Sequence, residues 1–263
     1  MRLAAVLASA LLAASPVCAQ EAPQQAPFIT TPPTVVARML ALAGTGPDDF
    51  VVDLGSGDGR IVIHAARAHG ARGLGVDLDA KLVALATENA ARAGVGDRVR
   101  FEVRDALRTE LAGASVVTIY LLPFLLERLQ PRLLADLEPG ARIVTHAFPL
   151  ASWPHDRMET VRLPQRHEGQ GDSSRIFLYV VPAQVRGEWR SPDGWRLRVH
   201  QNYQRIEVEA IREGRSVVVV DARLEGRRLR FSGPSVAFDG QVTGGRIRGA
   251  LASGTRLEFE RAR

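Results

Sequence analysis

Cysteine and lysine are almost missing from this 263-residue chain: Cys18 is the only cysteine and Lys81 the only lysine. The other basic residues are arginines, and aromatic residues make up 6% of the chain. With a single cysteine, no intrachain disulfide and no cysteine-based metal site can form. The apolar run from Leu3 to Leu12 is too short for a bilayer span, which takes about 20 residues. No His, Asp and Glu residues show metal-ligand spacing. No Ser-His-Asp order or motif is evident.

What is present starts with an export-type leader. Arg2, the apolar stretch and the small-residue exit "ASPVCAQEA" describe a secretory signal peptide. Val17 and Ala19 stand at −3 and −1 for cleavage after Ala19, so residues 1–19 are expected to be removed, Cys18 with them. A lipoprotein signal at Cys18 would want Gly or Ala just before the cysteine, and Val17 stands there. The expected location is the periplasm, or the cytoplasm if the signal is not used. Residues 20–32, rich in Pro and Gln, read as a flexible or extended lead-in.

From residue 33 the pattern alternates. "TVVARMLALAG" has helical spacing. "FVVDL", "GLGVDLD", "RVRFEVRDA", "ASVVTIYLL" and "ARIVTHAF" read as strands, with "GRIVIHAARAHG", "AKLVALATENAARAG" and "FLLERLQPRLLADLEPG" as helices between them. Pro131 is expected to split or kink the last helix. Strands alternating with helices predict a doubly wound α/β domain, its mostly parallel sheet covered on both faces. "METVRLP" and "SRIFLYVVP" then predict an antiparallel hairpin at the sheet edge, joined by a polar segment containing Glu168 and Asp172. This gives a seven-stranded domain over 33–181. Residues 182–263 lose all helical period and alternate apolar and polar residues between Gly-containing turns. They read as a small antiparallel β domain of six to eight strands, a barrel or a sandwich. From Gln184 onward 16 arginines face 10 acidic residues. That excess allows weak contact with an anionic surface, although arginines at alternate strand positions also describe an ordinary solvated face.

The chemistry is concentrated in "VVDLGSGDGR", Val51 to Arg60. Gly55, Gly57 and Gly59 fall between a strand and a helix, where glycine allows positive φ and close approach of a ligand to the backbone. No Lys-Ser/Thr pair follows them, which excludes a P-loop. Arg60 stands where a dinucleotide fingerprint would place its third glycine. Asp53 just before the loop would repel a pyrophosphate and welcome a cation. Asp77 ends the second strand, where a carboxylate can accept both hydroxyls of a ribose. Asp105 follows the third strand, where it can accept from an exocyclic amine. Each of the three aspartates also has a reading as a turn or helix-capping residue.

This arrangement resembles the class I S-adenosylmethionine-dependent methyltransferases. "VVDLGSGDGR" is similar to their first motif, "GVDLD" to the acidic end of their second strand and "RDAL" to their adenine loop. The resemblance implies S-adenosyl-L-methionine as cofactor. Asp53, Gly55, Gly57 and Gly59 would hold its methionine part, Asp77 the ribose and Asp105 the adenine. Within that superfamily, "TTPPTVVARML", "VVTIYLLP" and "RIVTHAF…W" resemble small protein-lysine methyltransferases related to the ATP synthase c-subunit methyltransferase. Where those relatives carry Asp after the histidine, this chain has Ala147. The implied activity is N-methylation of a protein lysine or another amine, small molecules included. A "DPPY" or "NPPF"-type motif is absent, with "YLLP" in its place, so a nucleic-acid acceptor is not expected.

For the acceptor end the candidates are Tyr120, which offers a hydroxyl, Pro123, which leaves carbonyls free, and His146 as a general base. A core position for Tyr120 and a structural one for His146 stay open. Trp153 either walls the acceptor pocket or packs, and His64 reads as a packing residue. A second functional reading also stands: an exported, non-catalytic binding module that keeps the nucleotide site as a sensor or relic and binds a partner through its β domain.

Overall fold

The computed structural model describes residues 29–167 and 171–262. The signal segment, most of the lead-in and Glu168 lie outside the described residues. Helix α1 (Pro33–Leu42) leads into β1 (Phe50–Leu54), α2 (Arg60–His69), β2 (Arg72–Asp77), α3 (Ala80–Arg92) and β3 (Val99–Val103). A single 3-10 turn, Ala106–Arg108, is followed by β4 (Val116–Ile119), α4 (Pro123–Asp136) and β5 (Arg142–His146). The edge hairpin is β6 (Arg157–His167) and β7 (Gly171–Val180).

These strands form one seven-stranded sheet in the order β3-β2-β1-β4-β5-β7-β6. β1 to β5 run parallel, and β7 enters antiparallel between β5 and β6. The chain order reverses between β1 and β4. An α/β sheet opens its ligand crevice there, beyond the carboxyl ends of the strands. Buried Val, Leu and Ile along β1, β4 and β5 account for the continuous apolar runs in the sequence, because both faces are covered. α4 continues through Pro131 as one helix rather than two pieces.

On the β2 side the sheet and its helices meet closely at glycines. A Cβ on Gly75 would come within 2.5 Å of the Phe101 ring and 2.7 Å of Ser56 Cβ. On Gly73 it would come within 2.5 Å of Val62. The glycine loop therefore lies directly on β2, and this is the packing that sets its height above the sheet.

The remaining strands are β8 (Gly187–Arg190), β9 (Trp195–Asn202), β10 (Arg205–Arg212), β11 (Arg215–Val217), β12 (Asp221–Glu225), β13 (Arg228–Gly233), β14 (Val236–Thr243), β15 (Arg246–Leu251) and β16 (Arg256–Arg261). They form a nine-stranded antiparallel sheet, β11-β10-β9-β8-β16-β15-β14-β13-β12, one strand more than the turn spacing predicts. The short β11, which carries little alternation, is hard to see in the sequence. The sheet is curled into a half-barrel: its two edge strands, β11 and β12, are consecutive in the chain. Alternate residues such as Trp189, Leu197, Phe231, Ile247 and Phe259 fill the inside. Outside, many arginines pair across strands: Arg198 with Glu188 and Glu209, Arg248 with Glu258, and Arg228 with Asp239. Such exposed pairs are screened by water and add little to stability.

Gly75→Ala is expected to destabilise the protein by about 1–3 kcal/mol, the usual cost of overpacking, measured as a lower urea midpoint at unchanged m-value.

Candidate functional site

The loop between β1 and α2 is built from left-handed residues. Gly55, Gly57 and Gly59 have φ of 83°, 53° and 82°. A side chain is strained in that region, and on Gly55 it would also lie 2.8 Å from Leu121. The Gly55 and Ser56 amides donate to the Val76 carbonyl, both at 2.9 Å, which ties the loop to β2. Asp58 turns back to receive the Arg60 guanidinium, and Asn89 donates to the Asp58 carbonyl. The loop is fixed from three sides.

Asp77, the last residue of β2, accepts from Gly57 N–H (2.9 Å) on one carboxylate oxygen and from Asp79 N–H (3.0 Å) on the other. A carboxylate has about four acceptor sites, so two of Asp77's are filled by backbone and the others are available to a diol. Asp53 is buried, 2% exposed, and accepts from the Thr118 hydroxyl at 2.7 Å. Burial pushes its carboxyl up to about 7, the Thr118 bond opposes this, and the Asp77 and Asp58 carboxylates add to it. Asp105 sits two residues past β3 and caps the 3-10 turn, accepting from Leu107 N–H at 2.8 Å. The capping reading of Asp105 is thus realised, at the same sheet edge as the other two acids. Leu78 and Val103, 38% and 58% exposed, stand at the tips of β2 and β3 and present apolar surface beside Asp77 and Asp105.

β4 and β5 bring the acceptor-end candidates to the same edge. Tyr120 follows β4 and His146 ends β5, with their ring centroids 4.1 Å apart. His146 is fully buried. Its Nδ1 lies 3.1 Å from Thr31 Oγ1 and its Nε2 lies 2.5 Å from Ser174 Oγ. Both ring nitrogens are engaged by hydroxyls, so the imidazole sits as a support beneath the half-buried Tyr120. Ala147, directly after it, has φ 65°, a region that Asn, Asp and Gly enter more readily than alanine. Pro123 is exposed and occupies the first position of α4, where its missing N–H leaves nothing unpaired. Trp153 is buried and packs against Tyr179 and Tyr203. His64 lies on α2 beside His69, away from the strand tips. Asp172 belongs to β7, between β5 and the edge strand β6.

Some contributors were not singled out from sequence. Thr118 is legible as the one polar residue in the apolar strand "VVTI". Thr31 crosses from the glycine loop, where its carbonyl accepts from Arg60 (2.9 Å), to His146. Ser174 gave no signal, because its contact with His146 depends on the antiparallel insertion of β7.

The site suits a cationic adenosine derivative. It combines an acid with spare acceptor sites for a ribose, a buried acid with a raised pKa, and a backbone bend with no side chains in the way. Ser56 Oγ is buried in that bend without a hydrogen-bond partner among the described residues. Fold and site together define an S-adenosylmethionine-dependent methyltransferase.

Comparison with known proteins agrees. Residues 53–157 match the ANTKMT methyltransferase domain family. A protein-lysine N-methyltransferase of Saccharolobus islandicus (strain REY15A) is 34% identical over 156 residues, which are 59% of this chain and 93% of the relative. The ATP synthase c-subunit lysine N-methyltransferase of Mus musculus is 39% identical over 158 residues, 60% of this chain and 58% of the relative. A crystal structure of an RNA methyltransferase from Salinibacter ruber with S-adenosyl-L-homocysteine is 44% identical. It covers 60% of this chain and 96% of that one, with a TM-score of 0.54. The chain belongs to this family of methyltransferases, which includes protein-lysine N-methyltransferases.

Asp77→Asn is expected to weaken S-adenosylhomocysteine binding about 10- to 100-fold, the effect of losing one charge-assisted bond worth roughly 1.5–3 kcal/mol. Isothermal titration calorimetry measures it.

Asp53 has a raised folded pKa, so its neutral form is favoured in the fold. Its contribution to stability is full below the unfolded value near 3.9 and is lost as pH rises towards about 7. A cation bound beside it reverses that preference. S-adenosylmethionine affinity is expected to rise as pH increases through about 7, with proton release measurable as a buffer-dependent heat of binding. In Asp53→Asn this linkage disappears.

Proposed function

We propose that the protein transfers the methyl group of S-adenosylmethionine to an amine, the lysine side chain of a protein, at the end of the crevice formed by Tyr120 to Pro123. The observation that carries this reading is the 34% identity to a protein-lysine N-methyltransferase across 93% of that relative, together with the crevice on this chain. When bound, the cofactor supplies an electrophilic methyl group for in-line displacement. The protein contributes position and the exclusion of water. A lysine must first lose its proton. Bringing it from a pKa near 10.4 to the neutral form at pH 7 costs about 4.6 kcal/mol. Half-buried Leu121 and Leu122 and the exposed Pro123 and Phe124 offer apolar surface there, and desolvation lowers the cost of the neutral amine.

In this reading Asp53 and the loop of Gly55, Gly57 and Gly59 hold the methionine part. Asp77 holds the ribose, and Asp105, with Leu78 and Val103, lies against the adenine. Tyr120 orients the acceptor amine and His146 holds Tyr120 in place. The export-type pattern expected of residues 1–19 supports action on an exported or envelope protein. The 44% identity to the Salinibacter ruber RNA methyltransferase supports a second acceptor class, nucleic acid, and the same experiment separates the two.

An envelope extract and total RNA, each incubated with the protein and deuterium-labelled S-adenosylmethionine, decide between them by mass spectrometry. Labelled methyl on lysine in the protein fraction is the expected result. Label confined to nucleosides would replace this reading with the second one. Tyr120→Phe is expected to lower kcat about 10-fold, with S-adenosylhomocysteine affinity unchanged, as for a group that acts on the acceptor alone.

A further inference from the structure

One contact between the half-barrel and the methyltransferase domain is concentrated in a single turn. The turn between β9 and β10, residues 202–205, reaches α4 and the β5–β6 connection together. Trp153, 1% exposed, stacks on Tyr203 with 5.2 Å between ring centroids and 15° between planes. The indole N–H donates to Gln204 Oε1 at 3.1 Å, and Gln204 Nε2 donates to the Pro154 carbonyl. The Tyr203 hydroxyl lies 2.8 Å from Gln130 Nε2 on α4 and 3.1 Å from Ser152 Oγ. Tyr203 is itself left-handed, with φ 54°. A bulky residue persists there only where its surroundings over-determine it.

Both segments gripped by this turn lead to the acceptor end. α4 starts at Pro123, seven residues before Gln130, which is about 10 Å along the helix. The β5–β6 connection starts at Ala147, directly after the histidine whose ring supports Tyr120. α4 and this connection also bond each other directly, Gln130 Nε2 to Ser152 Oγ at 2.6 Å, and one turn of the second domain braces that junction of two segments that border Tyr120. Joining the domains does not require such a grip. The Arg227–Glu138 ion pair and the close approach of Gly226 to Gly140 already do so elsewhere.

We infer that Tyr203 and Gln204 are positioning residues for the methyl acceptor: through Trp153, Ser152 and Gln130 they set the opening beside Tyr120 and leave the cofactor crevice at β1 and β2 unchanged. This rests on the placement of the acceptor at Tyr120 to Pro123.

The test uses the full-length protein and Tyr203→Ala, Gln204→Ala and Tyr203→Phe. The last keeps the stack and loses the hydroxyl. Three quantities are read: S-adenosylhomocysteine affinity by calorimetry, amide hydrogen exchange at Leu150 and Ser152, and methyl transfer from labelled S-adenosylmethionine to poly-L-lysine. Self-labelling on lysine is confined to Lys81, the only lysine in the chain. The inference predicts cofactor-product affinity within about twofold for all three variants, and exchange at least about tenfold faster in the two alanine variants. It also predicts KM for poly-L-lysine raised about fivefold or more in those variants at nearly constant kcat, with Tyr203→Phe, which keeps the stack and loses the bonds to Gln130 and Ser152, in between. Affinity falling in step with faster exchange would overturn it, since the turn would then only hold the fold together. Unchanged exchange and unchanged KM would overturn it as well. If Tyr203→Ala does not fold, Gln204→Ala and Tyr203→Phe carry the decision. If the unaltered protein transfers no methyl to poly-L-lysine, the lysine reading of the acceptor fails by itself, while affinity and exchange still decide the role of the turn.

Discussion

The Asp77 carboxylate holds the glycine loop in shape. It is the last side chain of β2, and it binds the Gly57 amide of the loop on one side and the Asp79 amide at the start of α3 on the other. Two backbone hydrogen bonds to a charged acceptor are strong for their size, and they leave acceptor capacity pointing at the crevice. The loop can make this contact because Gly57 is left-handed and because Gly73 and Gly75 let α2 and the loop settle onto β2. A carboxylate, a bare loop and small residues beneath it therefore form one mutually dependent arrangement. Removing any one of them shifts the other two.

Next to it the electrostatics work in the opposite sense. Asp53 accepts from a hydroxyl on the neighbouring strand, Thr118 on β4, and it lies near two further carboxylates. Its raised pKa reflects burial first and like charge second. That is an unfavourable arrangement for the protein alone, and a positively charged ligand relieves it. In the proposed function this prepares the site for a cation beside an adenosine, in contrast to dinucleotide crevices on similar sheets, where a phosphate takes that place. At the other end, Tyr120 rests on His146, and His146 is held by Thr31 from the segment before α1 and by Ser174 from β7. Three remote stretches of chain meet under one aromatic ring.

Much of this was legible in the sequence. The alternation of buried strands and capped helices, the three glycines and the acids at the ends of the first two strands all follow from local pattern, because strand and helix periods and left-handed turns are local properties. The edge hairpin was legible too, from two strand patterns with no helix between them. Other features depend on contacts between distant residues and leave little local trace. Ser174 meets His146 only because β7 inserts beside β5. Asp105 follows β3, as the pattern predicts, and its bond to Leu107 shows that the side chain caps a turn. Pro131, which predicts a split or a kink, does not split α4: the helix continues, with Leu129 and Leu133 on either side buried in the core. The nine strands of the half-barrel were undercounted because β11 is three residues long and reads as loop.

The central claim is that the strand tips carrying Asp53 and Asp77, with the bend between β1 and α2, clasp an adenosine bearing a charged amino acid. A crystal structure of the protein grown with S-adenosylhomocysteine tests this directly. The ribose hydroxyls are predicted about 3 Å from the Asp77 carboxylate oxygens, ordinary hydrogen-bond range, with the thioether sulfur directed towards Tyr120. A nucleoside bound elsewhere on the chain, or one whose ribose does not touch Asp77, would contradict the account.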